Sequence, residues 1–159
     1  MNLKYTSLAV ALALLAPSLA WASCSDLKVE DPWIREAPPG APAMAGFAQL
    51  SNKGGKPLTL VSASSPDFGS AELHQSSLEA GQARMRKLDT LTLDPGQVLR
   101  LEPNSYHLML MQPVRGLVSG DQSLIELRCD DTSSAVVKFA VRPPTVLKFQ
   151  GPANPEAHH

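Results

Sequence analysis

No stretch beyond residue 22 sustains an apolar period of 3.6 residues over ten positions, so the chain has little means of building an amphipathic helix. It offers instead a succession of short apolar or alternating runs, each closed by turn-forming residues. The run 34–36 leads into a Pro-rich loop at 37–42. The run 46–51 stops at Asn52-Lys53-Gly54-Gly55-Lys56-Pro57, and 58–61 stops at Ser64-Ser65-Pro66-Asp67. Residues 71–75 and 83–87 flank a turn around Gly81. The runs 91–93 and 98–101 end at Asp94-Pro95-Gly96 and Glu102-Pro103-Asn104, and 106–111 stops at Pro113. The last pair, 123–129 and 135–141, reads as a hairpin across 130–134. In it Ile125, Leu127 and Cys129 alternate with Glu126 and Arg128, which puts Cys129 on the buried face. Many short strands at this spacing predict an all-β fold, a sandwich or a barrel, in a single domain over residues 23–150.

The first 22 residues are of another kind. Lys4 precedes a run, 8–19, of Ala, Leu, Val and Ser broken by Pro17, and Ala20-Trp21-Ala22 gives a small-x-small pattern. This is the pattern of an export leader cleaved after Ala22. As a membrane anchor the run falls short of the about 20 apolar residues that a spanning helix needs. At the other end, residues 151–159 are rich in Pro and Ala and read as a flexible tail.

The whole chain has 14 basic and 15 acidic residues, a net charge of −1, and loss of Lys4 with the leader takes it to −2. A near-neutral chain carries no electrostatic footprint for nucleic acid. It also lacks the basic amphipathic stretch that would hold it to a membrane surface. Export meets an oxidising compartment, so the even pair Cys24 and Cys129 is expected to form a disulfide. Two other readings of Cys24 stand beside this one. Ala22-Ser23-Cys24 partly matches a lipidation site, although Trp21 stands where that pattern wants an aliphatic residue. A metal-ligand role is the other, but nothing near Cys24 has ligand spacing.

Chemistry concentrates in one window. Outside the leader there are four histidines and four methionines. His74, His107, Met85, Met109 and Met111 all fall between positions 74 and 111. His107 and Met109 are two apart on a strand, so they project from one face. His74 and Met85 are almost symmetric about the turn near Gly81, so a hairpin would set them roughly opposite each other. Thioethers are soft, neutral ligands suited to Cu(I), and imidazole also suits copper. Zinc wants thiolate, imidazole or carboxylate, and calcium or magnesium wants oxygens. A blue-copper centre would need a thiolate, and no Cys lies in this window. Methionines in strands are usually core fillers, and single histidines are usually surface residues. Here, however, Leu108 and Leu110 already supply the buried face of their strand, which leaves His107, Met109 and Met111 on the opposite one.

His74, ten residues, Met85, twenty-one residues, His107, one residue, Met109 resembles the signature of the PCu(A)C family of periplasmic copper chaperones. Tyr106-His107-Leu108-Met109-Leu110-Met111, Asp31-Pro32-Trp33-Ile34-Arg35 and Ala71-Glu72-Leu73-His74 are similar as well. The resemblance spans nearly all of the chain after the leader. One departure is Gln75, where the family often has Met or Asn. The resemblance implies a cupredoxin-like, immunoglobulin-like β-sandwich in the periplasm. It implies one Cu(I) held by His74, Met85, His107 and Met109, and Met111 is a possible accessory ligand. It further implies delivery to the Cu(A) subunit of cytochrome c oxidase, beside a Sco-like thiol protein. His158 and His159 form a thin version of the metal-binding tails of some members, which add capacity for Cu(II). A solvated terminus is their plainer reading.

Three functions compete at this point. The first is a copper carrier without turnover. The second is an exported sandwich used for protein contact alone, with the methionines as an adhesive patch. The third is a copper enzyme. No paired carboxylates, Ser-His-Asp pattern or phosphate loop supports the third, and the expectation is a protein that is not an enzyme.

Overall fold

The structure is a computed structural model that describes residues 22–148. The expected leader and the tail with His158 and His159 lie outside the described residues. Ten strands follow a short 3-10 turn, Cys24–Asp26: β1 Leu27–Arg35, β2 Ala43–Asn52, β3 Leu58–Ser64, β4 Phe68–Glu79 and β5 Gln82–Leu88. Then come β6 Leu91–Leu93, β7 Val98–Leu101, β8 Tyr106–Pro113, β9 Gln122–Cys129 and β10 Ser134–Arg142. Every run expected to be extended lies within one of these strands, apart from Glu36 just past the end of β1. No described helix is long and apolar enough to cross a membrane.

The strands pair in the order β5-β4-β8-β7-β2-β1-β10-β9-β3-β6, and β4 also pairs with β3 while β8 pairs directly with β2. The β3–β4 pairing, at Ala63 and Ala71, joins the two sides of the sheet. Seven strands therefore form a ring, β4-β8-β2-β1-β10-β9-β3. Of the two all-β forms expected, sandwich and barrel, the ring is a closed β-barrel, because that one pairing joins the two sides that would otherwise stand as separate sheets. Most pairings are antiparallel. The first and last strands meet in parallel, with Trp33 to Arg35 beside Ala140 to Arg142.

Alternation sets the inside of the ring. Ile34, Leu50, Leu58, Leu60, Leu108, Leu110, Ile125, Leu127 and Phe139 are all fully buried in one core cluster. Each such side chain is worth about 1.5–3 kcal/mol of transfer from water. Buried Asn52 closes the end of β2. Its side-chain amide donates to the carbonyls of Lys56 and Leu93, and its oxygen accepts from the Gly54 amide. Cys24 and Cys129 are joined, with their Cα atoms 5.7 Å apart, and tie the first turn to the end of β9.

A smaller layer lies outside the ring. Trp33 and Phe47 are buried but stand apart from the main core, with ring centroids 4.5 Å from each other. The Arg35 guanidinium covers Phe47 and that of Arg142 covers Trp33, while Asp31 pairs with Arg142. Asp31 sits at the bulge between Glu30 and Trp33 with φ 49°, beside Pro32. A proline is tolerated there because a bulge already interrupts the ladder.

Candidate metal centre

The site lies on the outer face of the sheet where β2, β8, β4 and β5 run side by side. On β8 the buried Leu108 and Leu110 point into the core, so His107, Met109 and Met111 face the other way. On β4 the same rule sends Leu73 inward and Glu72, His74 and Ser76 outward. The β4–β8 register then sets His74 directly opposite His107, and Met109 opposite Glu72. The two imidazoles lie beside each other, with centroids 5.9 Å apart and planes tilted by 44°.

Met85 arrives from the edge strand β5, where it is 53% exposed. It pairs with Ser76, whereas His74 pairs with Lys87. His74 and Met85, expected to lie roughly opposite each other, are thus offset by one diagonal step. The reason is the turn. Glu79 pairs with Gln82, and the two residues between them, Ala80 and Gly81, have φ of 50° and 78°. That is a tight two-residue hairpin of the type with both central residues left-handed, centred between Ala80 and Gly81. Met85 stays on the His74 face, within diagonal reach of a long side chain. Met111 shares this face but lies one step further from the histidines, beside Ala43 and Ser70.

The histidines are oriented by different partners. His107 is buried, and its Nδ1–H donates to the Ser105 carbonyl at 3.0 Å. That carbonyl also accepts the Ser76 amide of β4 at 3.0 Å, and the Ser105 amide donates to Glu102, so the loop before β8 is held in place. Burial pushes the His107 imidazole below the ordinary histidine value. The Ser105 bond works against this shift, and the neighbouring His74 adds to it.

His74, with 14% of its side chain exposed, bonds through Nε2 to a Glu72 carboxylate oxygen at 2.9 Å. The other Glu72 oxygen takes the Lys87 ammonium at 2.9 Å. Bonds from His74 and Lys87 hold the Glu72 carboxyl below its usual range, and Glu72 in turn raises Lys87. The second ring nitrogen of His74, Nδ1, is buried and has no hydrogen-bond partner. A buried imidazole nitrogen without a hydrogen-bond partner suits a metal ligand, so the residues present fit a soft ion.

Three of these residues, Glu72, Lys87 and Ser105, were not singled out from the sequence. Glu72 stands two before His74 on one strand, and strand parity alone puts the two side chains on the same face. Lys87 and the Ser105 carbonyl depend on register and loop shape, and carry no comparable signal. No three His, Cys, Asp or Glu side chains gather as a metal site among the described residues. What shares this face is two imidazoles and the methionine thioethers.

An all-β domain closed in this way has the build of PCuAC domains. The apo PCuAC domain from PmoF1 is 26% identical, with a TM-score of 0.63, over 75% of this chain and 95% of that domain. The solution structure of the Cu(I) form of DR1885 from Deinococcus radiodurans is 27% identical, with a TM-score of 0.63, over 85% of this chain and 87% of that one. Residues 27–141 match the model of the LpqE-like family, described as "Putative lipoprotein LpqE-like", and the chain belongs to that family. A Leifsonia xyli subsp. xyli protein, "Putative lipoprotein Lxx21020", is 27% identical over 117 residues, which is 73% of this chain and 69% of that protein.

Proposed function

We propose that this chain is an exported carrier of one Cu(I) ion, held by His74, Met85, His107 and Met109. The observation that carries this reading is the paired imidazoles on a face shared with Met85 and Met109, with His74 Nδ1 buried and unpartnered. Thioether sulfur selects a soft monovalent ion over zinc, calcium or magnesium. The likeness to a protein whose Cu(I) form has been solved supports the same cargo.

The ligand set also suits a carrier. Thioethers detach one at a time and need no proton to leave. Met85 sits on the exposed edge strand, where an acceptor reaches it first. The buried His107 is the last contact to be lost. The acceptor in this reading is the Cu(A) centre of cytochrome c oxidase, with a Sco-like thiol protein acting beside it. The compartment is the periplasm. The leader pattern and the Cys24–Cys129 disulfide support export, and a sulfur engaged in that bond leaves Cys24 no thiol to carry a lipid.

The test is anaerobic titration of the chain with Cu(I) against a competing chelator. One tight ion per chain is expected, with both sulfur and nitrogen scatterers in X-ray absorption. The double variant Met85→Ala, Met109→Ala should lose tight binding. A spectrum with nitrogen and oxygen only would overturn the assignment.

A further inference from the structure

Resting on the copper reading, we propose that Glu72 is a positioning residue that, with the Ser105 carbonyl, fixes the two histidines in opposite tautomers. His74 then offers the ion Nδ1, and His107 offers Nε2. Each partner limits which ring nitrogen can carry the proton. A carbonyl and an ionised carboxylate only accept hydrogen bonds. The nitrogen facing each of them must carry the proton, and in a neutral ring the other nitrogen is left with the lone pair. Ser105 therefore assigns the proton of His107 to Nδ1, and Glu72 assigns that of His74 to Nε2.

The remaining nitrogen of His74 is the buried Nδ1 that nothing else satisfies. Leaving it so costs desolvation without return, and a metal ion on that side would recover it. A histidine ligand whose second nitrogen is tied to a carboxylate or a backbone carbonyl is held in orientation and made more basic. Glu72 is itself held, because Lys87 takes its other oxygen. That bond occupies the second carboxylate oxygen, so both oxygens of Glu72 are already engaged. The site thus has one rigid support, a backbone carbonyl locked by the loop before β8, and one made of side chains across β4 and β5.

The experiment begins without metal. Long-range proton–nitrogen correlation on the 15N-labelled, copper-free chain, at a pH where both rings are neutral, reads each tautomer directly. The Nε2–H form is expected for His74 and the Nδ1–H form for His107. Glu72→Ala should leave His74 in a mixture of tautomers and weaken Cu(I) binding about 10–100-fold. Glu72→Gln, whose amide oxygen accepts the same bond, should keep the tautomer and most of the affinity. If both histidines of the native chain share one tautomer, the proposal is overturned. The same follows if Glu72→Ala weakens binding with the His74 tautomer unchanged, because Glu72 then acts through charge alone. Failure of the native chain to bind Cu(I) at all would sink the copper reading, and the metal-free tautomers would still decide the assignment of protons.

Discussion

At the scale of single residues, His107 is the side chain on which burial and chemistry meet. The unfolded chain holds this imidazole at its ordinary value, near 6.5. In the folded chain burial lowers it, more than the Ser105 carbonyl restores. As pH falls, the unfolded state therefore takes up the proton first. The stability tied to a neutral His107 is complete above about pH 6.5 and is lost as pH drops through the lower folded value. We expect the unfolding free energy of the copper-free chain to decline on acidification from about pH 7 to 5. His107→Gln should flatten that slope. Equal slopes in the two proteins, measured by urea denaturation across the pH series, would contradict the assignment. The same ring has to be neutral to bind an ion, so a depressed value keeps it ready at neutral pH.

At the scale of elements, the β4–β5 hairpin delivers Met85, and its geometry rests on two turn residues. Gly81 is at ease with φ of 78°, but Ala80 at 50° is not, because its Cβ crowds the following carbonyl. Asn tolerates that region, and Asn-Gly is the favoured pair for this turn. Ala80→Asn should therefore stabilise the chain by about 1 kcal/mol. In a domain of this size that corresponds to a rise of about 3–4 °C in Tm. Since register and ligand positions stay the same, Cu(I) affinity should be unchanged. A Tm at or below that of the native chain would mean that the hairpin is not turned as described. β5 has no strand beyond it, and its residues are exposed except for half-buried Leu88, so it is the least anchored wall of the site.

The whole molecule is held by two closures. One is the ring, completed where β3 meets β4 at Ala63 and Ala71. The other is the Cys24–Cys129 bond, which spans 105 positions and fastens the first described turn to the end of β9. Nearby, the Cys24 amide donates to the Ser133 hydroxyl at 2.8 Å, so the junction keeps one contact after the sulfurs are gone. Replacing both cysteines, Cys24→Ser with Cys129→Ser, should cost about 2–5 kcal/mol, on the model that the bond restricts the unfolded chain. Denaturant unfolding under non-reducing conditions measures this. A loss well below 1 kcal/mol would show that the bond contributes nothing beyond the local contacts. The site lies on the face formed by β2, β8, β4 and β5, and the disulfide joins the opposite arc of the ring. Copper binding in the double variant should therefore persist once the chain is folded.

Local pattern and tertiary pairing divided the information about this chain between them. Short alternating runs closed by Gly, Pro and Asn were enough to locate the strands, because turn chemistry and the two-residue period are local properties. The same period separated Leu108 and Leu110 from His107, Met109 and Met111, and an even cysteine pair behind a leader-like segment pointed to the disulfide. Relations between strands were not legible in this way. Whether two sheet halves stay apart or close into a ring depended on one long-range pairing, Ala63 with Ala71. The diagonal offset of Met85 from His74 came from a turn centred between Ala80 and Gly81. The pairing of His74 with His107, and the support of each ring by Glu72 and Ser105, came from register and loop shape. A residue's neighbours along the chain decide which way its side chain faces, but only the folded pairing of distant segments decides what it meets there.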